Sequence, residues 1–177
     1  YPFIFSDELK YRLQRHLAFW GFWWIFQGFL YAFAPWPIPY TYPERIPISL
    51  LDSLIYLPSH IFLAYSLVYF VIPRYLVREK YVAAAVMVLV LFVLTSILSS
   101  SLGKYFITPA RNFFFPGNLY LPHPNINQAF YLSLLAGLRG AITIGGIAAA
   151  IKLMKYWYVK EQRNLQLQKE NTEAQLQ

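Results

Sequence analysis

Long apolar stretches separated by short polar segments organise this sequence. Apolar residues fill 17–34, 48–72, 81–102 and 128–154 almost without interruption, and charged or proline-containing segments separate these stretches. A helix of about 20 apolar residues crosses the hydrocarbon core of a bilayer, so each stretch is long enough for one crossing. The pattern predicts an all-α integral membrane protein, a four-helix bundle whose spans we number TM1 to TM4 in chain order.

Polar segments flank the four predicted spans. Residues 1–16 predict a cytoplasmic N-terminal lead helix, and residues 155–177 predict a linker helix that continues TM4 into the cytoplasm. Tyr158, Leu165 and Thr172 recur every seven residues, a weak heptad pattern that favours a coiled-coil-like signalling helix and a homodimer. A solvated helical tail is the alternative. The links 35–47 and 103–127 are rich in proline and aromatic residues, and we expect them to anchor or cap the bundle.

The composition supports a membrane environment. Hydrophobic residues make up 58% of the chain, aromatic residues 20% and charged residues only 13%. A soluble protein of 177 residues would leave large apolar patches exposed to water with this composition. The chain has no cysteine, which excludes disulfides, thiolate chemistry and cysteine-based metal sites.

The positions of the basic residues predict the orientation of the chain in the bilayer. Of the 15 Lys and Arg residues, eleven precede TM1, lie between TM2 and TM3, or follow or close TM4. Only Arg45, Lys104 and Arg111 lie on the opposite side. Because basic segments stay in the cytoplasm, both termini are expected to be cytoplasmic. The basic residues thus act as topology signals for a lipid bilayer, and no nucleic-acid partner is expected.

The sequence has no motif of a soluble enzyme, so no catalytic residue and no cofactor are predicted in residues 1–177. The three histidines fall at different levels of the predicted topology, which disfavours a metal site. Polar residues inside the spans remain as candidates. Arg139 in TM4 costs about 2.5–3.5 kcal/mol to insert and should therefore have a partner. We predict a polar cluster in the outer half of the bundle, formed by Arg139, Asp52, His60 and Gln27. It serves as a ligand site or switch, or it is a salt bridge that only fixes helix packing.

Small residues recur at four-residue spacing in TM4, at Gly137, Ala141, Gly145 and Ala149. Residues of this size allow helices to approach closely in lipid. The ridge is expected to pack within one subunit or across a dimer axis. Because TM4 is the span that continues into the cytoplasmic helix, it is the expected output element.

Two stretches resemble the membrane region of LytS/YehU-type sensor histidine kinases, especially the four-span forms common in Bacteroidetes. One is the tyrosine-rich helix end, proline turn and basic link AYSLVYFVIPRYLVREKY at residues 64–81. The other is the tail, YVKEQRNL at 158–165 and QKENTEAQLQ at 168–177, which resembles the family's linker helix before the phosphoacceptor histidine.

This resemblance implies a homodimeric kinase in the bacterial inner membrane, of which residues 1–177 form the sensing and transmission region. The phosphoacceptor histidine, ATP and magnesium would belong to a kinase domain beyond Gln177. The partner would be a response regulator, often of the LytTR class. A small transporter or channel, and a non-catalytic dimerising scaffold, are the alternative functions.

Overall fold

The computed structural model describes residues 8–33, 40–115 and 126–175, and no strand occurs among them. The all-α prediction is therefore confirmed for the described chain. We number the helices in chain order and name two π-helical segments separately. The elements are α1 (Leu9–Phe33), α2 (Tyr42–Ser66) with its π-helical continuation π1 (Leu67–Leu76), α3 (Tyr81–Leu102) with its continuation π2 (Gly103–Ile107), α4 (Thr108–Phe114) and α5 (Ile126–Gln175).

Among the described residues, two continuous helical segments are long and apolar enough to cross a membrane. They are Tyr42–Leu76, which combines α2 and π1, and Tyr81–Phe114, which combines α3, π2 and α4. Helix α1 has 25 residues, but indole and amide side chains such as those of Trp23 and Gln27 lower its mean hydropathy. The apolar part of α5 includes side chains outside the described residues.

Helix α2 is the central element of the packing. It contacts α1, α3 and α5, and α3 also packs against α5. Trp23 of α1 bonds to His60, and Phe33 stacks near Tyr42, so α1 runs antiparallel to α2. Gly140 lies beside His60 and Gly145 lies beside Leu67, so α5 runs in the same direction as α2.

The start of α2 corrects the predicted link at 35–47. The helix begins at Tyr42 rather than near residue 48. The backbone N–H of Thr41 donates to the Glu44 carboxylate at 2.7 Å, and Pro43 lies in the first turn, where a missing N–H costs nothing. These local signals extend the helix outward, so only residues 34–41 separate α1 from α2. Trp36 lies outside the described residues.

The second predicted link, 103–127, is helical in its first half. The chain continues from α3 through π2 and α4 to Phe114 before it leaves the helix. The sequence predicts a segment here that anchors or caps the bundle, and Pro109 lies in the first turn of α4, where proline is tolerated. Phe113 and Phe114 are exposed. Tyr120 and Leu121 lie outside the described residues.

Helix α5 is a single helix of 50 residues, about 75 Å long at 1.5 Å per residue. Ala141 and Ile144 are buried, whereas every residue from Met154 to Gln175 is exposed. Residues 9–16 of the predicted lead helix form the first turns of α1, which passes His16 without a break, and residues 1–7 lie outside the described residues. Residues 155–175 of the predicted linker helix continue α5 without interruption.

Candidate functional site

Buried polar side chains from α2 and α3 meet at one end of the packed helices. This end contains the N-terminus of α2 and the C-terminus of α3, and we call it the outer end because the topology predicts it outside. The opposite end, where α2 passes into π1, is buried mainly through apolar residues. We refer to the following buried side chains as the outer polar layer: Ser49, Asp52, Ser53, Ser59 and His60 of α2, and Thr95, Ser96, Ser99 and Ser100 of α3.

An ion pair between Arg111 and Asp52 lies at the outer end of the outer polar layer. Arg111 Nε donates to Asp52 Oδ1 at 2.9 Å, and Arg111 Nη2 bonds to the second carboxylate oxygen. The Asp52 side chain is 7% exposed and that of Arg111 is 18% exposed. Two N–H groups of one guanidinium thus hold both oxygens of a buried carboxylate, a geometry that fixes orientation as well as charge.

This pair replaces the predicted partnership of Asp52 with Arg139. Arg111 reaches Asp52 because π2 and α4 continue the helix of α3 and bring residue 111 back over α2. The sequence prediction places Arg111 in the link 103–127 and assigns it no partner. Arg139 is exposed on α5.

Tyr31 of α1 lies near both charged side chains that the sequence prediction pairs. The Arg139 guanidinium and the Asp52 carboxylate are each close enough to act electrostatically on its hydroxyl. The Tyr31 ring meets the Tyr56 ring edge to face, with centroids 6.3 Å apart. The Asp52 and Arg139 side chains form no ion pair with each other within the described chain.

His60 joins three helices in the middle of the packed region. Trp23 Nε1 of α1 donates to His60 Nδ1 at 2.9 Å, so the proton of a neutral imidazole resides on Nε2. The other edge of the ring faces Gly140 of α5, where a Cβ would lie 2.7 Å from His60 Cε1 and Nε2. Gln27 is buried and its Nε2 lies 3.5 Å from the same Cβ position. The structure thus brings His60 and Gln27 together, as the predicted cluster requires.

A hydroxyl pair connects α2 to α3. Ser99 Oγ donates to Ser59 Oγ at 2.9 Å, and Ser59 Oγ donates to the Tyr56 carbonyl at 2.7 Å. Sequence reasoning missed this contribution of α3, although the pattern T-S-x-x-S-S-S at residues 95–101 signals one polar face on an apolar helix. It also missed Trp23 and Arg111.

Several buried hydroxyl groups in this region have no hydrogen-bond partner among the described residues. They are the hydroxyls of Tyr31, Ser49, Thr95 and Ser100. Buried polar groups are normally paired, because an unsatisfied group costs about 1–3 kcal/mol. The outer polar layer therefore has hydrogen-bonding capacity beyond what the described side chains use.

The small-residue ridge packs within the chain where it is described. Ala141 is fully buried in a cluster with Leu63 and Leu67, and a Cβ on Gly145 would lie 3.2 Å from Leu67 Cδ1. Ala149 is half-buried. The surroundings of Gly137 lie outside the described set. The ridge thus allows the backbone of α5 to approach α2 and π1.

No group of three or more potential metal ligands occurs within residues 8–33, 40–115 and 126–175. No protein-family model matches the chain, and neither the curated proteins nor the solved structures include a significant match.

Proposed function

We propose that this chain is the membrane-embedded sensing and signal-transmission region of a two-component sensor histidine kinase. In this proposal α1, α2, α3 and α5 cross the inner membrane of a bacterium as a four-helix bundle, with both termini in the cytoplasm. A stimulus in the outer half of the bundle changes the position of α5. The exposed part of α5 carries this change to a kinase domain beyond Gln177, which functions as a homodimer and phosphorylates a response regulator.

The continuity of α5 carries the proposal. Its backbone lies against His60 and Gln27 at Gly140, and the same helix leaves the packed region to become fully exposed from Met154 onward. No break in hydrogen bonding separates these two parts within the 50 residues of α5. A rotation or shift of the helix at Gly140 therefore reaches its exposed end, since a rigid helix does not absorb it.

The surface of the helices favours a bilayer. Large apolar side chains point away from the packed interior on α1 and α3. Val82 is 81% exposed and Phe22 is 68% exposed. In water such a surface would drive association, whereas lipid tails solvate it without cost. The two continuous apolar segments Tyr42–Leu76 and Tyr81–Phe114 support the same placement.

The test uses the full-length parent protein in membrane vesicles with ATP. The proposal expects an acid-labile phosphoryl group on a histidine beyond residue 177. Gly140→Leu, which fills the contact with His60, is expected to change the phosphorylation rate severalfold. Gly146→Leu is the matched control, because a Cβ there meets nothing within 4 Å. Absence of phosphorylation, or equal rates in both variants, would overturn the proposal.

One observation favours a transporter as the second candidate. The unpartnered hydroxyls of Tyr31, Ser49, Thr95 and Ser100 would suit a small polar solute within the outer polar layer. Transport of a solute across reconstituted liposomes by the chain, in the absence of any kinase activity, would favour this function. A scaffold would show neither flux nor a response of its exposed helix to changes at Gly140.

A further inference from the structure

A second polar region lies at the opposite end of the helices from the outer polar layer. It is an open cleft of about 430 Å³ between the first turns of α1 and the last turns of α2. We call it the inner cleft, because the topology places it at the cytoplasmic surface of the membrane. Its lining residues are Leu9, Arg12, Leu13 and His16 of α1, Tyr65 of α2 and Tyr69 of π1.

A hydrogen-bond relay orients the polar wall of the inner cleft. Trp20 Nε1 donates to the Tyr65 hydroxyl at 2.9 Å, and the same hydroxyl lies 3.0 Å from His16 Nδ1, within hydrogen-bond distance. In the tautomer in which Tyr65 donates to Nδ1, the neutral imidazole carries its proton on Nε2 and can donate it to a ligand. These contacts position the His16 imidazole in the cleft that Arg12 also lines.

Cations surround the cleft on two helices. Arg12 lines it, and Arg15 is close enough to act electrostatically on His16. Lys152 of α5 places its Nζ 6.0 Å from the centre of the ring of Tyr69, a residue that lines the cleft. A guanidinium, an imidazole N–H and a nearby ammonium form a donor set that suits a phosphate group.

Apolar side chains continue from the polar wall along the outside of α1. Leu9, Leu13 and Leu17 follow one another at four-residue spacing and are 57–69% exposed. A ligand that places an anionic group between Arg12 and His16 would therefore lay an apolar part along these leucines. An anionic phospholipid has both parts in this arrangement.

We propose that the inner cleft binds the phosphate group of an anionic phospholipid of the cytoplasmic leaflet, with the acyl chains along Leu13 and Leu17. This inference rests on the membrane placement in the proposed function, but not on kinase activity. The bound lipid connects α1 to the start of the exposed part of α5 through Tyr69 and Lys152. Binding of the lipid is therefore a second way to change the position of α5, independent of the outer polar layer.

The test measures lipid retention by native mass spectrometry. The whole protein is reconstituted in phosphatidylcholine bilayers with and without phosphatidylglycerol and is then extracted in mild detergent. Arg12→Gln is compared with Arg163→Gln, which removes the same charge from the exposed part of α5. The proposal expects phosphatidylglycerol retention to fall about fivefold or more in Arg12→Gln, because one cation near a membrane surface contributes about this factor. Arg163→Gln should retain the lipid as the unchanged protein does.

Each other result overturns the proposal. Equal losses in both variants would indicate attraction by overall charge, and no loss in either would exclude the cleft. A second arm titrates inorganic phosphate into the protein in detergent. Arg12-dependent binding of phosphate without retention of phosphatidylglycerol would identify a site for a free anion instead. Carbonate extraction of the membranes distinguishes failure of the lipid site from failure of the proposed function. A chain that carbonate releases from the membrane also refutes the proposed function. A chain that stays in the membrane, but whose two variants retain the same amount of phosphatidylglycerol, refutes only the lipid site.

Discussion

Replacing Gly140 with alanine tests the contact at which α5 meets the polar interior. The added methyl group would lie 2.7 Å from His60 Cε1 and Nε2, closer than a Cβ approaches any ring. His60 cannot turn away freely, because Trp23 Nε1 holds its Nδ1 at 2.9 Å. The helix α5 or the imidazole must therefore shift. The matched control is Gly146→Ala on the same helix, where nothing lies within 4 Å of the new methyl group.

Two opposing contributions determine the expected size of the effect. Alanine in place of glycine favours a helix interior by about 0.8–1 kcal/mol, and this gain applies to both positions. Overpacking costs about 1–3 kcal/mol and applies only to Gly140. The free energy of unfolding of Gly140→Ala should therefore lie about 1–3 kcal/mol below that of Gly146→Ala, with Gly146→Ala at or above the unchanged protein.

Thermal unfolding in detergent measures this difference, at about 2–4 °C per kcal/mol for a chain of this size. Repeating both variants in a His60→Ala background provides the internal check. Without the imidazole, the nearest remaining atom is Gln27 Nε2 at 3.5 Å, an ordinary contact. The two alanine variants should then become equivalent. Equal melting temperatures while His60 is present, or a difference that persists without it, would refute the packing of α5 against His60.

Three further predictions follow from the same structure. Arg111→Gln should destabilise the protein by about 3 kcal/mol, the lower end for a broken buried pair, because it leaves the Asp52 carboxylate buried alone. Arg163→Gln, which removes the same charge from the exposed part of α5, should change the unfolding free energy by less than about 0.5 kcal/mol; equal effects in denaturant titrations would contradict the pairing. Burial, and then the charges of neighbouring arginines, lower the pKa of His16 in the folded protein below its usual 6.5. The contribution of this lowered pKa to the free energy of unfolding is complete above pH 6.5 and is lost as the pH falls from 6.5 towards the folded pKa. Melting curves should show this loss between the two pKa values, and His16→Gln should remove it, whereas an unchanged pH profile in that variant would exclude His16 as its source. Gly145→Leu should lower the melting temperature and change the rate of histidine phosphorylation, because a Cβ there already lies 3.2 Å from Leu67 of π1. A variant that melts and phosphorylates like the unchanged protein would show that the small-residue ridge is not needed for packing or signalling.

The sequence predicts the helical architecture well, because apolar stretches and charged links determine where a long helix is favourable. The predicted range 81–102 has the same bounds as α3. The predictions fail where a local signal extends a helix beyond its apolar part. The Thr41 and Glu44 cap does so at the start of α2, and π2 does so after α3.

The candidate site is predicted in its location but only partly in its contacts. Polar residues within apolar helices indicate Gln27, Asp52 and His60, and all three are buried. The partner of Asp52 depends on the path of the chain after Leu102, which hydrophobic periodicity does not specify. Trp23 was not predicted as a partner of His60, because an indole in an apolar stretch has the same pattern as any aromatic residue of a membrane helix.

The central claim is that α5 transmits a change at His60 to its exposed end as one rigid helix. Insertions between Lys160 and Glu161 of the full-length parent protein test this directly, because each added residue turns the following chain by about 100°. Two added residues rotate it by about 200°, whereas seven return it to within about 20° of its original direction. The measurement is histidine phosphorylation in membrane vesicles. The account predicts that the two-residue insertion abolishes or inverts the effect of Gly140→Leu and that the seven-residue insertion preserves it, whereas equal behaviour of both insertions would contradict transmission through α5.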